Sequence, residues 1–118
     1  MKNLIIEPTI GTPKVEFDVK AGFLQIAGIC TPENPKQFFE PIMDKLNDFQ
    51  ATGKALTIEI FLEYFNSGSS KALLNLFIET AKTSNETNIH WLSEDEELKD
   101  AGIILEEISG LKFKYFEV

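Results

Sequence analysis

The sequence predicts an α/β fold, a mixed β-sheet with helices packed on it, in the order β(β)β-α-β-α-β-α-β. Short runs of alternating apolar and polar residues have the period of half-buried strands. Between them lie longer stretches with apolar residues every three or four positions, which is the period of an amphipathic helix. The chain has 118 residues, which predicts one domain over 1–118.

The N-terminal part predicts strands alone. Leu4–Ile6 is a short candidate strand, and Lys14–Val19 and Phe23–Gly28 both alternate. Ala21-Gly22 between them supplies a turn, which predicts a β-hairpin. A hairpin followed by alternating helices and strands indicates a mixed sheet.

The first helix is predicted from Pro35 to about Gln50. Asn34 is a good N-cap and Pro35 a good first helical residue. Pro41 is costly inside a helix, so the helix either begins late, near Glu40, or is kinked. The cap at Asn34 favours one kinked helix.

The rest of the chain alternates between strands and helices. Lys54–Phe65 predicts a long strand whose buried face carries Leu56, Ile58, Ile60, Leu62 and Tyr64. A helix follows, with apolar positions from Leu73 to Ala81, and then a short strand at Asn88–Leu92.

The last helix and strand complete the predicted order. Ser93 and Glu96 have the spacing of a capping box, which predicts the start of the helix, and Gly110 ends it. Leu111–Val118 alternates and predicts the final strand.

Charge and composition restrict the class of partner. The 11 basic residues are all Lys, 19 residues are acidic, and the net charge is −8. An acidic chain without Arg is a poor binder of nucleic acid or of anionic membranes, so we expect protein partners. No membrane-spanning run or signal peptide is predicted, and the single Cys30 has no partner for a disulfide within the chain. These features predict a cytoplasmic protein.

Catalytic patterns are weak. His90 is the only His and lies in a predicted strand, and Cys30 has no nearby basic residue to lower its pKa. No zinc-ligand spacing, complete phosphate loop or nucleophile elbow is present, so no metal or cofactor is predicted. The acidic cluster Glu94–Glu97 is better explained as a capped helix start than as a cation site.

The segment Asn66–Ser70 holds three hydroxyls and a glycine where the long strand gives way to a helix. An N-cap needs one hydroxyl, from Ser67 or Ser69. The helix N-terminus also favours an anion or an added phosphate. The residues alone leave a structural cap and a functional site both open.

A longer pattern surrounds this segment. Tyr64-Phe65-Asn66-Ser67-Gly68-Ser69-Ser70-Lys71-Ala72 joins a strand ending in Tyr-x-Asn-hydroxyl to a helix, and Pro32-Glu33-Asn34 precedes the first long helix. Together with Thr12-Pro13 and its hairpin, the chain resembles the SiaC family of bacterial regulatory phosphoproteins along nearly its whole length.

The resemblance implies a STAS-like fold and a non-enzymatic switch. It implies that Ser67 is the phosphate acceptor, with Ser69 second. The residues expected to contact partners are Tyr64, Asn66, Gly68, Ser69, Ser70, Lys71, Glu33 and Asn34. The implied partners are a SiaB-type kinase, a SiaA-type phosphatase of the PP2C class and a diguanylate cyclase with a GGDEF domain, which the unphosphorylated form activates. The implied output is cyclic di-GMP and biofilm formation.

We expect Ser67 to cap the helix in the resting protein and its phosphorylation to repel a partner through added charge. Two alternatives use the same segment. One is a module that binds an anion or a nucleotide at the helix N-terminus. The other is a hydrolase with Ser67 as nucleophile, which the absence of a neighbouring base argues against.

Overall fold

The computed structural model describes residues 1–118 and contains six strands and three helices. The strands are β1 (Leu4–Ile6), β2 (Lys14–Asp18), β3 (Phe23–Cys30), β4 (Leu56–Phe65), β5 (Thr87–Ser93) and β6 (Phe113–Glu117). The helices are α1 (Pro35–Gln50), α2 (Ser67–Ala81) and α3 (Glu96–Ser109). The predicted α/β order is therefore confirmed, with small differences at element ends.

The strands form one sheet in the order β1-β2-β3-β4-β5-β6. The β1–β2 and β2–β3 pairs are antiparallel, and the pairs from β3 to β6 are parallel, so the predicted mixed sheet is confirmed. Each parallel connection contains one helix and advances in the same direction across the sheet. Because such crossovers are right-handed, all three helices lie on one face, where α2 contacts both α1 and α3.

The hydrophobic core lies between that sheet face and the helices. Alternate residues of β4, from Leu56 to Leu62, are buried, as are Ile89 and Trp91 of β5. The helices cover them with buried side chains at Phe39, Ile42, Leu46, Phe49, Leu73, Leu76, Phe77 and Leu105. On the opposite face, Glu59 and Phe61 are only half-buried. The one-sided burial explains why the strands alternate in sequence.

Helix α1 begins where its sequence predicts. The Asn34 side-chain oxygen accepts a hydrogen bond of 3.1 Å from the Gln37 N–H, and Pro35 is the first helical residue. The helix continues through Pro41, whose side chain is exposed. One helix over 35–50 is thus confirmed, and a start near Glu40 is not observed.

The predicted capping box of α3 was wrong. Strand β5 continues past Leu92, and Ser93 is its last residue, 2% exposed and paired with Glu117. Asp95 is the cap instead, because its carboxylate accepts a hydrogen bond of 2.8 Å from the Leu98 N–H. Glu96 begins the helix, where its charge favours the positive end of the dipole.

The placement of Tyr64 on the buried face of β4 was also wrong. Leu62 pairs with Gly28, but the next pair along the strands joins Tyr64 to Ile29. Strand β4 therefore carries one extra residue, Glu63, and this bulge ends the alternation. Tyr64 is 58% exposed as a result.

Glu106 links α3 to the edge strand β6 by side-chain hydrogen bonds. Its carboxylate accepts hydrogen bonds from the Phe113 N–H at 2.7 Å and from the Tyr115 hydroxyl at 2.6 Å. Burial tends to raise the pKa of Glu106, but these two bonds and the charge of Lys112 outweigh it and hold the pKa below its ordinary value. Burial and the bond to Glu106 raise the pKa of Tyr115.

None of the three helices combines the length and the apolar character that a membrane crossing requires.

The packing of α3 on β5 requires a glycine, which gives a first test. A Cβ on Gly102 would lie 2.6 Å from Trp91 Nε1, far inside normal contact. That indole N–H donates to the Leu98 carbonyl at 3.0 Å, so the ring is not free to move away. We expect Gly102→Ala to lower the free energy of unfolding by about 1–3 kcal/mol, measured by urea denaturation.

The control is the same substitution in a Trp91→Val background. Val lacks Nε1, Cε2 and Cδ1, the three ring atoms that the added Cβ would meet at 2.6 Å, 2.7 Å and 2.8 Å, so the penalty of Gly102→Ala should shrink there. Equal penalties in the two backgrounds would contradict the proposed clash.

Candidate functional site

The predicted site lies at the carboxyl ends of strands β3 and β4. Because β3, β4 and β5 are parallel, their carboxyl ends lie on the same side of the sheet, and each leads into a helix N-terminus. The caps of the three helices are Asn34, Asn66 and Asp95. The Asn66–Ser70 segment is therefore placed at the middle helix of the three.

Asn66 is the residue that joins β4 to α2. Its backbone N–H donates to the Cys30 carbonyl at the end of β3, at 3.2 Å. Its side-chain oxygen accepts from the Ser69 N–H at 2.9 Å, and its carbonyl accepts from the Ser70 N–H at 3.0 Å. Asn66 is thus the N-cap, and the expectation that Ser67 caps the helix was wrong.

The serines of the segment differ in exposure. Ser67 is the first residue of α2 and is exposed, and Ser70 is half-buried. Ser69 is 0% exposed. The Ser67 hydroxyl has no hydrogen-bond partner within the chain and is open to solvent. Of the two predicted acceptors, only Ser67 presents its hydroxyl to an approaching enzyme.

Buried Ser69 lies against the thiol of Cys30. Burial raises the pKa of this thiol, and the nearby Ser69 hydroxyl opposes part of the rise. No atom meets the geometry of a hydrogen bond to Ser69 Oγ, so this buried hydroxyl is unsatisfied. A protonated, buried Cys30 matches the sequence interpretation of a small core residue.

The first turn of α2 also offers donors to an anion. The N–H groups of Ser67 and Gly68 precede the first intrahelical hydrogen bond and are not used by the cap. They lie at the positive end of the helix dipole. A phosphate on Ser67 would therefore be added where the backbone favours negative charge.

Helix α1 passes close to the same turn. A Cβ added to Gly68 would lie 3.0 Å from the Pro35 ring, so the glycine permits the two helix starts to touch. Asn34 is occupied as the cap of α1, while Glu33 before it is exposed. The Pro-Glu-Asn loop and the serine segment, distant in sequence, are thus brought together.

A groove of about 430 Å³ runs between α1 and α2 from this point. Its apolar part consists of Phe39, Met43 and Ala72. Lys36 and Lys71 line it on the side of Gly68 and Ser67, and neither lies within 4.0 Å of a carboxylate. Glu79 lines the far end and is paired with Lys82 at 2.9 Å.

The model of the SiaC family of regulatory phosphoproteins matches residues 6–118. The chain belongs to the SiaC family. An uncharacterized protein of Pseudomonas aeruginosa strain UCBPP-PA14 is 32% identical over 95 residues, which are 77% of this chain and 75% of that protein.

Solved SiaC structures share the whole fold. The crystal structure of apo-SiaC from Pseudomonas aeruginosa is 26% identical and covers 98% of each chain, with a TM-score of 0.87. The second structure is that of the diguanylate cyclase SiaD in complex with its activator SiaC, from the same organism. The match is 26% identical, covers 98% of this chain and 99% of that chain, and has a TM-score of 0.87. The six-stranded sheet and three helices are therefore the SiaC architecture; the relation to STAS domains stays a prediction.

Within this SiaC-family chain the predicted partner-contact residues do not form one surface. Gly68 and Lys71 line the groove beside α1, and Ser67 directly precedes Gly68 in the chain. Tyr64 lies on the other side, in a shallow depression with Glu63, Asp95 and other residues of the start of α3. Ser69 is buried, and the side-chain oxygens of Asn34 and Asn66 are engaged as caps. Glu33, Tyr64 and Lys71 are exposed, and so are the most available of the set.

The sequence interpretation did not include the α1 side of the groove. Lys36, Phe39 and Met43 were not among the predicted site residues. The apolar stripe of α1 does contain Phe39 and Met43, but the stripe alone predicts only a buried face. Their position beside α2 depends on the order of the strands.

The cap of α2 can be tested by stability. Asn66→Ala removes the acceptor for the Ser69 N–H and should lower the free energy of unfolding by about 0.5–2 kcal/mol, measured by urea denaturation. Asn47→Ala, on the exposed surface of α1, is the matched control and should cost nothing. Equal values for the two variants would contradict the assignment of the cap.

The buried hydroxyl can be tested in the opposite direction. Ser69→Ala removes an unsatisfied buried polar group and should raise the free energy of unfolding by about 1 kcal/mol, seen as a higher midpoint in urea. Ser84→Ala, in an exposed loop, should leave the midpoint unchanged. A loss of stability in Ser69→Ala would show that the hydroxyl has a partner.

Proposed function

We propose that this chain is a non-enzymatic phosphorylation switch that binds and activates a diguanylate cyclase while Ser67 is unphosphorylated. Phosphorylation of Ser67 ends the interaction. The cyclase partner is transferred from the complex of SiaC with SiaD, and the acceptor from the family pattern at Tyr64–Ser67. The cytoplasmic location predicted from the sequence belongs to the same proposal.

The observation that supports Ser67 is its exposure at the first position of α2. Its neighbour Ser69 is fully buried, so a kinase would have to open the helix to reach it. Ser67 stands beside free N–H groups and beside the groove between α1 and α2. A phosphate there is compatible with the fold and changes the charge of a concave surface.

The proposed mechanism is electrostatic. A phosphoserine carries a charge of about −1.5 to −2 at pH 7. Placed at Ser67, it would face a docked partner and repel the carboxylates of that partner, while the ordered α2 start gives it a fixed position. The resting protein needs no cap from Ser67, because Asn66 supplies it. Modification is therefore free to act on binding without removing a structural bond.

The kinase and phosphatase complete the proposal. A SiaB-type kinase would add the phosphate and a SiaA-type phosphatase of the PP2C class would remove it, which sets the amount of cyclic di-GMP made by the GGDEF cyclase. This arrangement needs no catalytic group in the chain. His90, the one His, packs against Phe116 with ring centroids 5.2 Å apart, on the sheet face away from α2.

The test compares two variants of the acceptor. Ser67→Ala should bind a GGDEF diguanylate cyclase from the same cell as tightly as the wild type and should resist inhibition by the kinase. Ser67→Asp should bind at least about tenfold more weakly, because it adds a charge at the docking surface. Binding is measured by isothermal titration calorimetry, and activation by cyclic di-GMP production.

Ser84→Asp is the matched control, since it adds the same charge at an exposed position far along the chain from α2's start. It should bind like the wild type. Mass spectrometry after kinase treatment should place the phosphate on Ser67. Phosphate only on Ser69 or Ser70, or equal binding by Ser67→Ala and Ser67→Asp, would contradict the proposal.

A further inference from the structure

Lys71 is placed to respond to a phosphate on Ser67. The two residues are four positions apart in α2, so their side chains leave the same face of the helix about one turn apart. The ammonium of Lys71 has no carboxylate within 4.0 Å, and the side chain is exposed. Nothing in the resting protein holds Lys71 in place.

The same side chain lines the groove between α1 and α2. Lys36 stands across from it on α1, and the apolar surface of Phe39, Met43 and Ala72 lies beside both. The other charges on the groove are the exposed carboxylate of Glu40 and that of Glu79, which Lys82 already neutralises. Among the charges that line the groove, the two lysines therefore face one unpaired carboxylate, that of Glu40, in a chain whose net charge is −8.

We propose that this groove is the docking surface for an acidic segment of the partner and that Lys71 transmits the phosphorylation of Ser67 to it. The segment places an apolar side chain on Phe39 and Met43 and a carboxylate against Lys71 and Lys36. A phosphate on Ser67 draws the Lys71 ammonium back along the helix as its own counter-ion. The carboxylate of the partner then loses its contact with the Lys71 ammonium and meets the phosphate dianion in its place.

Charge complementarity identifies this occupant. Two cations without an internal partner flank an apolar strip, which fits a carboxylate next to an apolar side chain. A basic segment would be repelled at this end and attracted at many other places on an acidic protein. The inference rests on the proposed function for the identity of the partner, the diguanylate cyclase, but the contact between Lys71 and the phosphate does not depend on that identity.

The first experiment measures the contact with the phosphate directly. Phosphoserine is introduced at position 67 by codon suppression, and its second pKa is measured by phosphorus NMR. The expected value in the wild type is below the ordinary value of about 6. Lys71→Ala should raise this second pKa by about 0.3 unit or more, and Lys71→Arg should keep it low. The control is Lys54→Ala, which lies before the amino end of β4, opposite the end that carries Ser67, and it should leave the pKa unchanged.

Equal titration curves for Lys71→Ala and Lys54→Ala would overturn the pairing of Lys71 with the phosphate. The helix should fold in both variants, because Ala favours helix and Lys54 lies in an exposed loop. A fall in the pKa of the Lys71→Ala phosphoprotein would overturn the pairing as well.

The second experiment measures docking on the cyclase by calorimetry, with and without phosphate. Unphosphorylated Lys71→Ala should bind about fivefold more weakly than the wild type, and Lys71→Arg and Lys54→Ala should bind as the wild type does. The loss of affinity on phosphorylation should be smaller in Lys71→Ala, since the cation that the phosphate withdraws is already absent.

The two experiments separate the inference from the proposed function. If unphosphorylated wild type does not bind the cyclase, the proposed function and the docking surface are both overturned, and the NMR titration still decides the pairing. If the wild type binds but Lys71→Ala binds equally well, or loses the same affinity on phosphorylation, the groove is not the docking surface. The proposed function then stands on Ser67 alone.

Discussion

The position of Ser67 depends on three hydrogen bonds made by Asn66. One joins Asn66 to the Cys30 carbonyl, and two close the first turn of α2 over Ser69 and Ser70. The chain therefore leaves the sheet and enters the helix within one residue, with no loop in between. A modified residue at the first helical position is held in a fixed direction relative to the sheet, which a flexible loop would not provide. The exposure of Ser67 and the burial of Ser69 both follow from this turn.

The order of the strands determines what lies next to that turn. Consecutive parallel strands with one helix in each connection place α1, α2 and α3 side by side, with all three N-termini at one edge. Pro35 and Gly68 then touch, and the lysines of two helices meet at one groove. A strand inserted between β3 and β4 would separate the helices by about another 4.8 Å of sheet and remove the groove.

The fold was predictable from the sequence because each element has a clear period and most ends carry Pro, Gly or a capping residue. The errors have specific causes. Asn66 and Ser67 are both good caps and are adjacent, so residue type does not decide between them. Ser93 has the spacing of a capping box, but the strand continues through it to pair with Glu117. The bulge at Glu63 leaves no mark in a run of apolar residues and Glu, so Tyr64 was assigned to the wrong face. The groove needs two helices in contact, which no local pattern contains.

The physics of the helix start decides how a phosphate at Ser67 could act. Free N–H groups and the dipole favour an anion there, so phosphorylation would support α2 and not melt it. Under the proposed function, binding is then lost while the fold is kept or strengthened. A general increase in negative charge is a weak explanation, because the chain already carries −8 and salt screens charges over about 8 Å. The effect has to be local. Within one helical turn of Ser67, the unpaired cation is Lys71, which makes it the group best placed to convert the modification into a change of surface charge.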